Sequence, residues 1–218
     1  MGDLRARTAD EFQERRRAIL TACEMLCADR EYDQITLADI ARRTSLSRPS
    51  MYNYYQRKED VFLDLLKIKC AEWADALQAV FAEKDTLTKI EFSEMFTDTL
   101  CQRELTLKLL SLNFASIEKN CSAEAILSFR QVEERIPTLL LRISRKLFPG
   151  TDEMELANFV VQIMVYIYGI YPIVHFSPKL MEVWENQGQQ VPEPDMRAVC
   201  NQGILLITDG FSHHLSAK

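Results

Sequence analysis

A chain of 218 residues is large enough for one substantial core, or for a small domain followed by a larger one, and 47% hydrophobic against 27% charged residues is an ordinary globular balance. No apolar run of the length a membrane span requires is evident, and the opening Met-Gly-Asp-Leu-Arg lacks a signal peptide's apolar segment, so a cytoplasmic location is expected. The net charge of −6 argues against loose binding to polyanions until it is divided: residues 1–57 carry ten Lys/Arg against nine Asp/Glu, a net of +1, and the remainder 16 against 23, a net of −7.

β signals are weak, no repeat or low-complexity segment is visible, and helical periodicity predicts an all-α fold. Thr8 with Glu11 opens a first helix that runs to about Ala28, with Ile19, Ala22, Cys23 and Leu26 inward. Thr36 caps a second helix, Asp39 completes the capping pair, and Leu37, Ile40 and Ala41 form its apolar face. Leu46 closes the next turn. Ser47 caps a third helix, Pro49 sits in its first turn where a missing N–H costs little, and Met51 and Tyr55 face inward. Arg48, Ser50, Asn53 and Tyr54 then point away from the core. A helix of about two turns cannot persist on its own propensity, so its outward face serves a partner. From Lys58 a long helix carries Val61, Phe62, Leu65, Ile68, Trp73, Leu77, Val80 and Phe81. Further helices are predicted at 88–101, 103–119, 122–147, 152–172 and 194–214, with Ser122 and Asp152 as caps and Glu155 pairing with Asp152. Pro137 should kink or split the 122–147 helix, Phe148-Pro149-Gly150 is a break, Ser177-Pro178 suggests a short extra helix, and 186–194 reads as a loop.

Two short helices joined by a tight turn and followed by a lysine have the geometry of a helix-turn-helix, whose second helix enters the DNA major groove. On Thr36, Ile40-Ala41, Leu46-Ser47, Met51-Tyr52, Tyr54-Tyr55, Lys58-Glu59, Val61 and Phe62, with the preceding helix from Ala18-Ile19-Leu20 through Leu26, the chain resembles the TetR family of bacterial transcriptional regulators. The resemblance covers about the first quarter of the chain. The sequence departs from the family pattern where Thr44-Ser45 replaces the usual Ala-Gly of the turn, Glu31 the usual Gly after the first helix, and Tyr55 the usual Phe before the lysine motif. Because Ser45 and Glu31 adopt positive φ less readily than Gly, both turns are expected to differ in detail.

The resemblance implies a three-helix DNA-binding domain over residues 1–57, Lys58–Phe81 as a connecting helix, and a larger effector-binding and dimerisation domain over 58–218, roughly nine helices in all. It also implies a homodimer acting as a repressor, with the last two long helices building a four-helix interface. Both of those helices carry more apolar surface than one inner stripe requires, and Ala157, Val161, Met164, Tyr168, Cys200, Ile204, Ile207 and Phe211 are the candidate interface residues. Arg48 is the first candidate for a base contact, since a guanidinium matches guanine O6 and N7; Ser50 and Asn53 suit base edges and Pro49 a thymine methyl. By resemblance Thr36, Tyr52, Tyr54 and Lys58 hold phosphates, as does the N-terminus of the third helix at Ser47; for Tyr52 a core role competes. Arg5 and Arg7 lie ahead of the first helix, either as minor-groove contacts or as a tail.

The resembled regulators take a small molecule in the C-terminal domain, and Asn113, Phe114, Tyr166, Tyr171 and His175 are the candidate contacts, with a core, interface or loop role as the alternative for each. Apolar walls with few charges suggest a mostly apolar or aromatic effector. Control by a protein partner or by cysteine oxidation is the alternative. Enzyme chemistry finds little support: of three histidines, His213 and His214 lie near the chain's last residue, and no nucleophile-plus-base spacing, phosphate-cradling loop or HExxH is present. No cofactor or metal is expected. Cys23 and Cys27 stand at i, i+4 but suit core packing, and the six cysteines, without a CxxC, suit reduced thiols.

Overall fold

The computed structural model describes residues 2–190 and 192–217, with side chains from residue 10 onward. Arg5 and Arg7 therefore have side chains outside the described residues. The described residues form helices joined by turns, without a strand. The chain divides into two compact units, residues 1–68 with 112–130, and residues 69–111 with 131–218.

The first unit holds α1 (Gly2–Asp29), a 3-10 turn at Tyr32–Gln34, α2 (Leu37–Arg42), α3 (Arg48–Met51) and the start of α4 (Lys58–Phe81). α1 is already helical where Thr8 was expected to open it. Ile19, Cys23, Leu26, Ile35, Ile40, Met51, Val61 and Phe62 are all 0–1% exposed and form the core. Tyr32 meets Phe62 edge-on with ring centroids 4.8 Å apart. Truncating one such side chain costs about 2–5 kcal/mol.

The middle of the chain completes this unit. The expected 103–119 helix stops as α6 (Glu104–Leu112), gives way to a π-helical turn at Asn113–Ile117 and a 3-10 turn at Glu118–Asn120, and restarts as α7 (Ala123–Glu133). Such irregular turns leave carbonyls outside the α-helical ladder, and each needs a donor from elsewhere. The Tyr32 hydroxyl meets the Ser116 carbonyl at 3.1 Å, and Arg57 Nη1 donates to the Asn120 carbonyl at 2.7 Å. The Ser122 N–H donates to Asp60 Oδ1 at 3.0 Å, while Ile117 and Phe129 are 0% exposed.

The second unit holds the rest of α4, then α5 (Lys89–Cys101), α6, α8 (Arg135–Leu147), α9 (Glu153–Val174), α10 (Pro178–Asn186) and α11 (Met196–Ser216). The expected 122–147 helix divides at Glu134, so that Pro137 falls in the first turn of α8, where its missing N–H breaks no ladder bond. Gly150 ends the Phe-Pro-Gly break with φ +82°, a conformation that disfavours any other residue. The core gathers Trp73, Phe92, Phe96, Leu107, Phe159, Ile163 and Ile167, each nearly fully buried. The Trp73 indole N–H donates to Thr99 Oγ1 at 3.1 Å.

α9 corrects one expectation. By length and composition alone it is apolar enough to cross a membrane. Its apolar residues divide between an inward face (Leu156, Phe159, Val160, Ile163, Ile167, Ile170, Val174), in a unit where it packs with α8 and α11, and an outward one at Val161, Val165 and Ile173. Averaging the two faces produces the long apolar run.

Candidate nucleic-acid interface

α2 begins as its sequence dictates: Thr36 Oγ1 accepts from the Asp39 N–H at 3.2 Å, and the Thr36 N–H donates to Asp39 Oδ2 at 2.9 Å. That reciprocal cap, first through the Thr36 hydroxyl and further through Arg42 and Arg30, holds the Asp39 carboxyl below its usual range. The turn that follows lacks the family's glycine and solves the problem with a side chain. Thr44 Oγ1 donates to the Ala41 carbonyl at 2.9 Å and accepts from the Leu46 N–H at 3.1 Å, and among the described residues no non-glycine residue has positive φ. Glu31 likewise keeps φ at −76° and caps the 3-10 turn with Gln34.

α3 opens with Ser47 Oγ accepting from the Ser50 N–H at 3.2 Å, and the two hydroxyls lie 2.8 Å apart. Only four residues are helical, followed by turns in which the Tyr54 and Tyr55 N–H groups both reach the Met51 carbonyl. Met51 is 0% and Tyr55 6% exposed, so these two anchor the segment. Ser47, Arg48, Pro49, Tyr52 and Asn53 are exposed, and Ser50 and Tyr54 are half-buried. Tyr52 therefore stands outside the core, whereas Tyr54 stacks on Phe12 with centroids 4.7 Å apart. Lys58 is half-buried: its Nζ donates to the Tyr32 carbonyl at 2.9 Å and lies 4.1 Å from that ring's centre. Arg42 pairs with Asp39 and Arg43 with Asp29. Arg16 turns inward, its Nη2 2.5 Å from Asp64 Oδ2, beneath a groove of about 550 Å³ bordered by Phe12, Tyr54, Leu63 and Ser128.

The five candidate ligand residues divide between the two units. Asn113 and Phe114 belong to the π-helical turn of the first unit, Asn113 fully buried with its Oδ1 unpartnered and Phe114 55% exposed. Tyr171 and His175 stack in the second unit at 4.3 Å, with His175 Nε2 3.2 Å from Glu104. Tyr166 packs α9 on α11, its hydroxyl donating to the Val199 carbonyl at 2.9 Å. A recess missed in the sequence lies between α4 and α8: about 240 Å³, floored by Leu77, Phe81, Leu139 and Ile143, with Arg142 and Lys146 also lining it. A second, of about 320 Å³, lies on α9 and α11 beside Phe159, Leu206, Ile207 and Phe211.

Of the eight candidate interface residues, Ala157 and Val161 are exposed, and Met164, Tyr168, Ile207 and Phe211 half-buried. Cys200 and Ile204 are 0% exposed and belong to the chain's own core. Val161 is joined among the outward apolar residues of α9 and α11 by Met154, Val165 and Leu206, the four being 54–74% exposed. Burial and the Cys101 neighbour push the Cys200 thiol up to about 12, and burial with nearby carboxylates does the same for Cys121. Both are thiols at neutral pH, which makes them poor nucleophiles.

Residues 69–214 match the family model described as Tetracyclin repressor-like, C-terminal domain, and residues 19–65 match Bacterial regulatory proteins, tetR family. The chain belongs to the TetR family. It is an all-α, DNA-binding transcriptional regulator with an N-terminal helix-turn-helix and a C-terminal helical domain. Solved structures of similar fold include the transcriptional regulator FadR from Bacillus subtilis in complex with stearoyl-CoA, at 18% identity and TM-score 0.58 over 88% of this chain and 97% of that one. A TetR/AcrR-family regulator from Thermobifida fusca YX-ER1 is 18% identical, with TM-score 0.59 over 90% of this regulator and 98% of its own length. The fatty acid degradation regulator FadR from Bacillus halodurans is 16% identical, with TM-score 0.57 over 88% and 94%. No curated protein matches the sequence.

Proposed function

We propose that this TetR-family protein is a homodimeric repressor that reads a palindromic operator through α3 and releases it when a small, mostly apolar or aromatic effector binds the C-terminal region. The observation that carries this reading is the split of residues 47–55. Met51 and Tyr55 are buried while Ser47, Arg48, Pro49, Tyr52 and Asn53 are exposed, so a helix too short to persist alone presents a polar, cationic side to solvent. Residues 1–57 serve as the DNA-binding domain, α4 as the connecting helix, and 58–218 as the effector and dimerisation domain.

Arg48 takes guanine O6 and N7, Ser50 and Asn53 take base edges, and Pro49 takes a thymine methyl. Thr36, Ser47, Tyr52, Tyr54 and Lys58 fix register on phosphates; Lys58 keeps donors to spare beyond the one it gives Tyr32. Two copies, set by a two-fold axis about 34–36 Å apart, read both half-sites, and a dimer seated over a promoter blocks polymerase without further contact. The recess between α4 and α8 supports a small effector: its floor is apolar and its two cations suit an anionic group on an apolar body. The fold's occurrence in a FadR bound to stearoyl-CoA supports the same class of ligand. Such an effector acts only if it binds the DNA-incompetent arrangement more tightly.

Selection of bound fragments from random genomic DNA supplies the operator. Arg48→Ala should then weaken that operator by about 1–3 kcal/mol, the value of one bidentate pair, and scrambled DNA much less. Equal losses on both would refute the base contact. In a thermal-shift screen an effector at 100 times its Kd adds about 2.7 kcal/mol; if no compound both stabilises the protein and releases DNA, the effector half of the proposal fails.

A further inference from the structure

Tyr55 stands where the family pattern has Phe, and its hydroxyl is not idle. It donates to Asp64 Oδ2 at 2.5 Å and accepts from Arg16 Nε at 3.3 Å. Asp64 Oδ2 also receives Arg16 Nη2 at 2.5 Å, and Asp64 Oδ1 receives Lys67 Nζ at 3.1 Å. Lys67 donates onward to Ser128 Oγ at 3.0 Å. One chain of charge-assisted hydrogen bonds thus joins α1, the residues after α3, α4 and α7 within the first unit. Its central carboxylate is only 13% exposed, so solvent competes little with these bonds.

α3 has only four helical residues, so its pose depends on the side chains that hold the segment: Met51, Tyr55, and Tyr54 stacked on Phe12. Met51 is 0% exposed, and the burial of an apolar side chain is non-directional: it fixes depth but not rotation. Hydrogen bonds weaken steeply with angle, so the Tyr55 phenol adds a directional constraint that ties the segment to α1 and α4. Base-edge contacts carry sequence information and need accurate placement, while phosphate contacts carry none.

We propose that the Tyr55 hydroxyl, held by Asp64 and Arg16, is a positioning residue that fixes the rotation of residues 48–54 and so sets sequence discrimination rather than overall DNA affinity. This rests on the proposed role of the 47–54 face in reading DNA. Tyr55→Phe removes only the hydroxyl and leaves Asp64 paired with Arg16 and Lys67, so the fold persists.

The test compares wild type, Tyr55→Phe, Asp64→Asn and the double variant on the selected operator and on its scrambled counterpart, with a thermal melt of each. Tyr55→Phe is expected to cut the operator-to-scrambled affinity ratio about tenfold, with scrambled DNA and the melting temperature little changed; tenfold corresponds to about 1.4 kcal/mol. The double variant should discriminate no worse than the poorer single one, because both act through one relay. An unchanged ratio in Tyr55→Phe, or losses that simply add in the double variant, would overturn the relay while leaving DNA reading intact. A wild-type protein that selects no fragment would overturn the DNA-reading proposal itself.

Discussion

Val165→Glu tests the dimer most directly. Val165 is 63% exposed on α9, one turn from Val161 at 54%, and a lone chain gains nothing by presenting both to water. Fully burying a valine contributes about 1.5 kcal/mol, so covering the exposed portion is worth about 1 kcal/mol per protomer. In a two-fold interface each substitution acts twice, giving about 2 kcal/mol, or about thirtyfold in the dimer dissociation constant. A buried carboxylate adds several kcal/mol more, so the measured loss should exceed that figure. The isolated chain should be nearly indifferent, within about 0.5 kcal/mol, because the side chain touches little of its own fold. Sedimentation at a series of dilutions reads the dissociation constant, a thermal melt of the diluted protein reads the fold, and operator binding should fall with the dimer. An unaltered dissociation constant in both Val165→Glu and Val161→Glu would refute the use of this face for pairing.

Two other perturbations probe what holds each unit together. Thr99→Val strands the buried Trp73 indole N–H, costing about 1–3 kcal/mol and lowering the melting temperature by about 2–12 °C; in a Trp73→Phe background the same change should cost far less, and an equal cost in both backgrounds would dismiss the hydrogen bond as the cause. The Asp64 carboxyl is pushed up by burial, but the Tyr55 hydroxyl, Arg16 and Lys67 outweigh this and hold it below its usual range. Its contribution is therefore complete above its unfolded value of about 4 and is lost as pH falls through the lower folded value. The stability gap between wild type and Asp64→Asn should accordingly close on acidification, and a gap that widened toward low pH would contradict the assigned shift.

Much of the reading head was legible because its determinants are local. Thr36 with Asp39, Ser47 with Ser50, and Met51 with Tyr55 lie three or four residues apart, and their spacing alone assigns cap or anchor. The long-range parts were not legible. Tyr32 meets Ser116 across 84 positions, and periodicity within 103–119 gives no sign that the helix widens after Leu112 to supply that carbonyl. α9 and α11 failed differently. Apolar residues occupy more than one side of α9, so its pattern does not rank the stripes, and only packing shows that Cys200 and Ile204 turn inward while Val165 and Leu206 turn outward. The candidate ligand residues are polar or aromatic groups inside apolar helices, and a group of that kind can equally serve the chain's own packing, as Tyr166 does against Val199.

The carbonyls that Ser116 and Asn120 lend to Tyr32 and Arg57 bear on any attempt to trade operator preference between relatives. A head severed after Ile68 leaves behind the two acceptors, together with Ile117 and Phe129, which are wholly enclosed in the intact unit. Chimeras spliced at that single point would inherit a loosened reader and misreport its preference. A faithful transplant has to carry residues 112–130 along with the first 68.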